Sequence, residues 1–328
     1  MIVGQDRAVA QFSEAWATRK LHHAWLLAGL KGVGKATFAH AAARRVLAEA
    51  AGPPFDKPGI ETDDDHPTVK LVAASSHPDM RWVERIENPK AKTPGTLYRN
   101  IIVAQIRQVG EFLSLSGALS PWRVVVIDTV DELEESGANA LLKMLEEPPP
   151  NTLFFLVSHA AGRLLPTIRS RCRRLDFQKL DDDAMTSILE QRTELTTGER
   201  QRIISMAAGS AGRAVRFAEL GLAKLEDAAF AILRQGDPTN ARRSELASEL
   251  GKKAAADRYS AFLNLAPSLI AREARKLDGV SRDRALDAYG KARELAAVAP
   301  RLSLDPAATV FQLGGILAEV ADADSLKR

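Results

Sequence analysis

Residues 28–43 read AGLKGVGKATFAHAAA, and no other stretch narrows the fold as far. Gly29, Gly34 and Lys35 satisfy the spacing G-x-x-x-x-G-K, with Gly32 between them. That spacing suits a loop whose backbone N–H groups wrap a phosphate while a helix N-terminus faces it. The lysine reaches the outer phosphates, and a serine or threonine after it ligates magnesium. Here that position is Ala36, which has no side-chain oxygen. Thr37 comes one residue later, turned by about 100° around a helix, and is a poor replacement. The loop works only between a strand and a helix, and both are expected. HAWLLAGL reads as a short buried strand, and KATFAHAAARRVLAEA as an alanine-rich helix. The competing reading is a glycine turn packed tightly against a helix. Whether the loop still binds a nucleotide is a separate question from its ancestry.

The surrounding pattern extends this unit. AVAQFSEAWATRK has helical spacing of apolar residues, Gly52 to about Pro67 reads as a loop or small insertion, and VKLVAA as an edge strand. RNIIVAQIRQVGEFLSLSG and GANALLKMLEEPPP read as helices, the second stopped by prolines. WRVVVID, TLFFLVS and the shorter, more polar CRRLDF read as strands. Strand, loop, helix and strand in this order predict an α/β nucleotide-binding domain with a mostly parallel sheet. Composition shifts near Gln178, where strands end. Three short helices are expected over 179–222 and further helices over 223–328, LSLDPAATVFQLGGILAEV being the last clear one. The length of 328 residues agrees with two or three domains.

The end of the strand VVVID places Asp128 where a working phosphate-loop ATPase holds its metal. The next residue should be a glutamate that orients water, and it is Thr129. Glu132, Glu134 and Glu135 follow, and are expected to begin the next helix or face solvent. Ala36 and Thr129 together argue against hydrolysis at this site. Arg169, Arg171, Arg173 and Arg174 crowd LLPTIRSRCRRLDF. They suit either a phosphate-backbone patch or an arginine offered to a neighbouring subunit's nucleotide, since the guanidinium fork matches phosphate oxygens. Arg213, near the start of a helix after a glycine-rich turn, suits a nucleotide between domains or a plain surface.

Other chemistry is poorly supported. The six histidines show no H-E-x-x-H, and Cys172 is the single cysteine. A zinc site is therefore not expected, and Cys172 reads as a small buried hydrophobe. Aromatics are 5%, too few to signal a base-stacking surface, and a net charge of +3 permits a nucleic-acid partner without requiring one. No run of eighteen apolar residues and no leader-like N-terminus is read, so a cytoplasmic, reducing location is expected, with no membrane.

HHAWLLAGLKGVGKATFA, IRQV, VVVIDTVDELEESGANALLKMLEEPP, LLPTIRSRC and GSAGRAVR together resemble the bacterial clamp-loader subunits of the AAA+ superfamily, in particular the delta-prime stator group of DNA polymerase III. The resemblance is strong over residues 1 to about 220 and weak beyond. It implies a RecA-like AAA+ domain over 1–178, a three-helix lid over 179–222 and a helical collar over 223–328. It implies a hetero-pentamer with gamma/tau motor subunits and a delta subunit, which uses ATP to load the sliding clamp on primed DNA in the nucleoid. The chain itself would not hydrolyse ATP, and any polymerase label would belong to the holoenzyme. Arg171, in the Ser-Arg-Cys motif, would project into a neighbour's ATP site. Ser158 would fall at the γ-phosphate-sensing position and Arg213 at the lid arginine. Gly29, Gly32, Gly34, Lys35, Thr37, Asp128, Ser158 and Arg213 would then line a degenerate site, holding ATP or ADP without turnover if at all. Many members carry four zinc-binding cysteines before the motif that is His77, Pro78 and Asp79 here, and this chain has none of them. A self-sufficient ATPase and a nucleic-acid-binding scaffold on a degenerate phosphate loop are the alternatives.

Overall fold

The computed structural model describes residues 2–91 and 95–321. These divide into two compact units, Met1–Ile188 with Ala208–Gly212, and Leu189–Ala207 with Arg213–Arg328. Residues 179–222, expected as a separate lid, are divided between these two units.

The first unit runs α1 (Asp6–Ala17), β1 (Ala24–Ala28), α2 (Lys35–Ala51), α3 (Pro67–Ala73), β2 (Met80–Val83), α4 (Val103–Ser114), β3 (Arg123–Asp128), α5 (Glu135–Glu146), β4 (Thr152–Ser158), α6 (Pro166–Arg169) and β5 (Arg173–Asp176). The five strands form one sheet in the order β2-β3-β4-β1-β5, and every pairing is parallel. Central strands of such a sheet are covered on both faces, which is why AWLLA and TLFFLVS are buried at every position. The edges are different: β5 buries only Leu175.

Successive side chains of a strand point to opposite faces, and the two cores divide accordingly. Trp25, Leu27, Val124, Val126, Phe155 and Val157 enter one core with α1 and α2. Leu26, Val125, Ile127, Phe154 and Leu156 enter the other with α4 and α5. Phe12 of α1 anchors the first core, its ring centroid 5.3 Å from Trp25, 5.6 Å from Phe38 and 5.5 Å from Phe155. Burying one such aromatic ring contributes about 2–3 kcal/mol. This is a parallel α/β sheet with a packed helical layer on each face, the class of domain expected from the sequence.

One assignment needs correction. VKLVAA is not an edge strand but most of α3, and the edge strand is β2, MRWV. Pro67 sits at the first helical position, where its missing N–H costs nothing, and Val69 and Val72 fall on one buried helical face. Cys172 is also less buried than expected: it is half-buried beside the second core, and burial pushes its thiol up to about 12.

The segment 52–66 is held from α2. Arg45 Nη1 donates to the carbonyls of Lys57 (2.9 Å) and Glu61 (2.6 Å), and Nη2 to Phe55 (3.2 Å). Its Nη2 also pairs with Glu49 Oε1 at 2.7 Å, each side chain being 9% exposed. Glu49 in turn accepts from the Trp16 indole N–H and the Phe55 backbone N–H. Asp79 does comparable work at the far end of β2. Its buried carboxylate accepts from the N–H groups of Ala118, Leu119 and Ser120. Burial opposes its ionisation, but those three donors outweigh it and hold the pKa below the ordinary value.

Helix α7 (Asp182–Arg192) begins in the first unit and ends in the second. The second unit continues with α8 (Thr197–Ala207), α9 (Ala211–Glu219), α10 (Leu222–Gln235), α11 (Ala241–Leu250), α12 (Ala256–Ala274), α13 (Gly279–Arg301) and α14 (Pro306–Ala318). Leu225, Ile232, Phe262, Leu269, Leu313 and Leu317 belong to a core within it, against which Met206 of α8 and Phe217 of α9 also pack. Asp305 caps α14, accepting from the Ala308 N–H, with Pro306 at the first helical position. Among the described residues no helix is long and apolar enough to cross a membrane.

Candidate functional site: a degenerate phosphate loop and a surface arginine

The carboxyl ends of β1, β3 and β4 meet where ligands bind open α/β sheets. Ala28 pairs with Ser158 and Asp128 with Val157, so the glycine loop, Asp128 and Ser158 are neighbours by register. Gly34 caps α2 with φ +103°, a left-handed conformation that glycine adopts at little cost, and Lys35 opens the helix. Gly29 lies against the chain beyond β5: a Cβ there would stand 2.5 Å from the Phe177 carbonyl oxygen.

The loop is pinned by a segment that the sequence had pointed to only for its arginine. Ser210 Oγ donates to the Lys31 carbonyl (2.8 Å), and the Gly212 N–H donates to the Gly32 carbonyl (2.9 Å). Gly32 has φ +79°, and a Cβ on it would meet Ser210 Oγ at 2.5 Å and the Gly212 Cα at 3.1 Å. Gly32→Val should therefore destabilise the first unit by about 2–4 kcal/mol, combining overpacking with an unfavourable φ. A lower urea midpoint checks it. Gln5 adds a second tie, its buried amide N–H₂ donating to the Val33 (3.1 Å) and Gln178 (2.9 Å) carbonyls.

Lys35 is buried, and its ammonium donates to the carbonyls of Gly29 (2.7 Å) and Leu30 (2.6 Å) in its own loop. Burial pulls its pKa down to about 8, against the opposing pull of the Asp128 and Asp131 carboxylates. To engage a phosphate with more than one N–H, Lys35 must give up at least one of these carbonyls. Ala36 offers no ligand, and Thr37 is exposed on α2. Asp128 is raised in pKa, first by burial and then by Glu84, with Lys35 opposing.

Ser158 is fully buried, and its hydroxyl donates to Asp131 Oδ1 at 2.8 Å. Asp131 Oδ2 accepts from the His159 N–H at 2.5 Å. Asp131 is the residue missed by sequence reading: it lies in the charge run DELEES, and only the D-x-x-D spacing from Asp128 hints at a shared site. Thr129 is buried and supplies no carboxylate. The three glutamates do not replace it. Glu132 pairs with Arg85 at 2.8 Å, Glu134 accepts from the Val103 N–H, and Glu135 opens α5. The residues present do not fit a hydrolysing magnesium–ATP site.

Arg171 is placed elsewhere, in the turn between α6 and β5. Its Nη1 donates to the Thr167 carbonyl (3.0 Å) and its Nη2 pairs with Glu146 Oε1 (2.8 Å), both groups part-exposed. Its bonding partners lie on α5, on α6 and at Ser170, none of them in the phosphate loop. Two other arginines of the cluster are otherwise engaged. Arg173 lies over the Trp25 ring and Arg174 pairs with Asp176. Arg213 belongs to the second unit, where its guanidinium lies 5.4 Å from the Phe217 ring centroid and donates to the Met206 carbonyl. Among the described residues no three His, Cys, Asp or Glu side chains gather to hold a metal.

Comparison with known proteins bears on the same region. Residues 4–181 match the family model "DNA polymerase III, delta subunit". The chain is 31% identical over 192 residues to DNA polymerase III subunit delta' of Haemophilus influenzae, covering 58% of this chain and 53% of that protein. It is 35% identical over 153 residues to subunit delta' of Pseudomonas aeruginosa, covering 46% and 41%. It is 28% identical over 267 residues to subunit tau of Bacillus subtilis, covering 78% and 44%. The matches thus span about half the length of these relatives. The chain belongs to the DNA polymerase III delta-subunit family, within the clamp-loader group that includes delta-prime, gamma and tau subunits.

Proposed function

We propose that this chain is the delta-prime, or stator, subunit of a clamp loader. It completes a neighbour's ATP site with Arg171 and hydrolyses no ATP itself. The observation that carries this reading is the contrast between two loci in one unit. The chain's own site lacks a metal-ligating hydroxyl at Ala36 and a water-orienting carboxylate at Thr129, and its Lys35 is bonded to its own loop. Arg171 is part-exposed, on a surface turn. A catalytic guanidinium without a catalytic site beside it is what a trans-acting arginine requires.

Residues 179–222 then serve as the lid and 223–328 as the collar that joins the subunits. The partners are gamma/tau motor subunits and a delta subunit in a hetero-pentamer, which loads the sliding clamp on primed DNA at the replisome, in the cytoplasm. ATP or ADP is not required in this chain's own loop, and if either binds there it is not turned over. Zinc is not required either: the Arg45–Glu49 pair gathers the 52–66 segment through carbonyl and N–H bonds.

The purified chain alone should hydrolyse ATP no faster than background. Lys35→Ala, in the reconstituted complex with clamp and primed DNA, should keep turnover within about twofold of wild type, the scale of an uninvolved substitution. Hydrolysis by the isolated chain that is abolished by Lys35→Ala would instead identify a self-sufficient ATPase.

A further inference from the structure

The ion pair at Arg171 joins two helices at a specific place. Glu146 is the last residue of α5, and Thr167, whose carbonyl takes the other arginine bond, lies in α6. A carboxylate at a helix C-terminus faces the negative end of the helix dipole, so this position does not favour glutamate for the helix's own sake. Pro166 fixes the start of α6, and the Thr167 carbonyl holds the guanidinium of Arg171 at Nη1. Glu146 then fixes the rotation of the guanidinium plane, which Thr167 alone leaves open.

The donor count allows this hold to persist during function. A guanidinium carries five N–H groups. The bonds to Thr167, Ser170 and Glu146 engage at most three of them. Two donors remain for a phosphoryl oxygen while Glu146 stays in place. The pair is half-exposed, 35% for Arg171 and 47% for Glu146, so it is an orienting contact and not a pillar of the fold.

We propose that Glu146 is a positioning residue for Arg171: it braces the guanidinium in the orientation offered to a neighbouring subunit's nucleotide. This rests on the reading of Arg171 as a residue acting in trans. The test is ATP turnover of the reconstituted complex with clamp and primed DNA, with incorporation of each variant verified by size-exclusion chromatography. Glu146→Ala should lower kcat at the neighbour's site by about two- to fivefold, the range of a half-exposed ion pair, and whole-complex kcat by that site's share of the loss, with KM for ATP unchanged. Glu146→Gln keeps an acceptor oxygen and should lie between wild type and Glu146→Ala. In an Arg171→Ala background, Glu146→Ala should add nothing, because the two residues act as one unit. Turnover of Glu146→Ala at or above wild type would overturn the bracing role and leave Arg171's role standing. So would a loss of equal size in the Arg171→Ala background. Wild-type turnover of Arg171→Ala would overturn both.

Discussion

Replacing Arg171 with alanine should slow ATP hydrolysis at the neighbouring subunit by about 10³-fold or more, the scale of an arginine supplied in trans to a transferring phosphoryl group. The effect is large because the contact strengthens as charge develops in the transition state, so its loss falls on the rate and not on ground-state binding. Whole-complex turnover should lose at least that site's share. The fold should be nearly indifferent. Arg171 is part-exposed, and its pair with Glu146 contributes no more than about 1 kcal/mol. Arg171→Lys should not restore the rate, because an ammonium cannot present the planar fork. Steady-state turnover with clamp and primed DNA, in complexes verified to contain the variant, decides it. Unchanged turnover would leave an architectural subunit with no catalytic contribution.

The second large effect is on stability. Arg45→Ala should destabilise the first unit by about 3–5 kcal/mol, since it leaves the Glu49 carboxylate, only 9% exposed, without its cation. The Phe55, Lys57 and Glu61 carbonyls lose their common donor at the same time. The loss should appear as a fall in the urea midpoint together with new protease cuts within 52–66. Arg45→Met with Glu49→Met should recover part of the midpoint, because no unpaired charge is then left inside. A midpoint unmoved by Arg45→Ala would show that the segment is held by something other than this pair.

Much of the first unit was legible because its signals are local. AWLLA, VVVID and TLFFLVS are continuous apolar runs, which a strand covered on both faces requires, and each became a central strand. VKLVAA shows the limit: a short apolar run does not declare its period, and Pro67 at the helix start tipped it to α3. The absences at Ala36 and Thr129 needed no structure at all, since no fold supplies an oxygen or a carboxylate that the chain does not encode there.

What the sequence determined by itself is thus the kind of sheet, the phosphate-loop ancestry and the missing ligands of that loop. All of these depend on residues adjacent in the chain. Only the tertiary structure decided how the remaining groups are used. Asp131 takes Ser158 across 27 positions, and Ser210 closes on Lys31 across 179. Glu146 reaches Arg171 from another helix, and Arg45 gathers a segment that composition could only describe as a loop. The reason is physical: propensity and periodicity act within a few residues. A charge or a buried donor instead finds its partner through space, once the packed core has brought distant segments within hydrogen-bond reach.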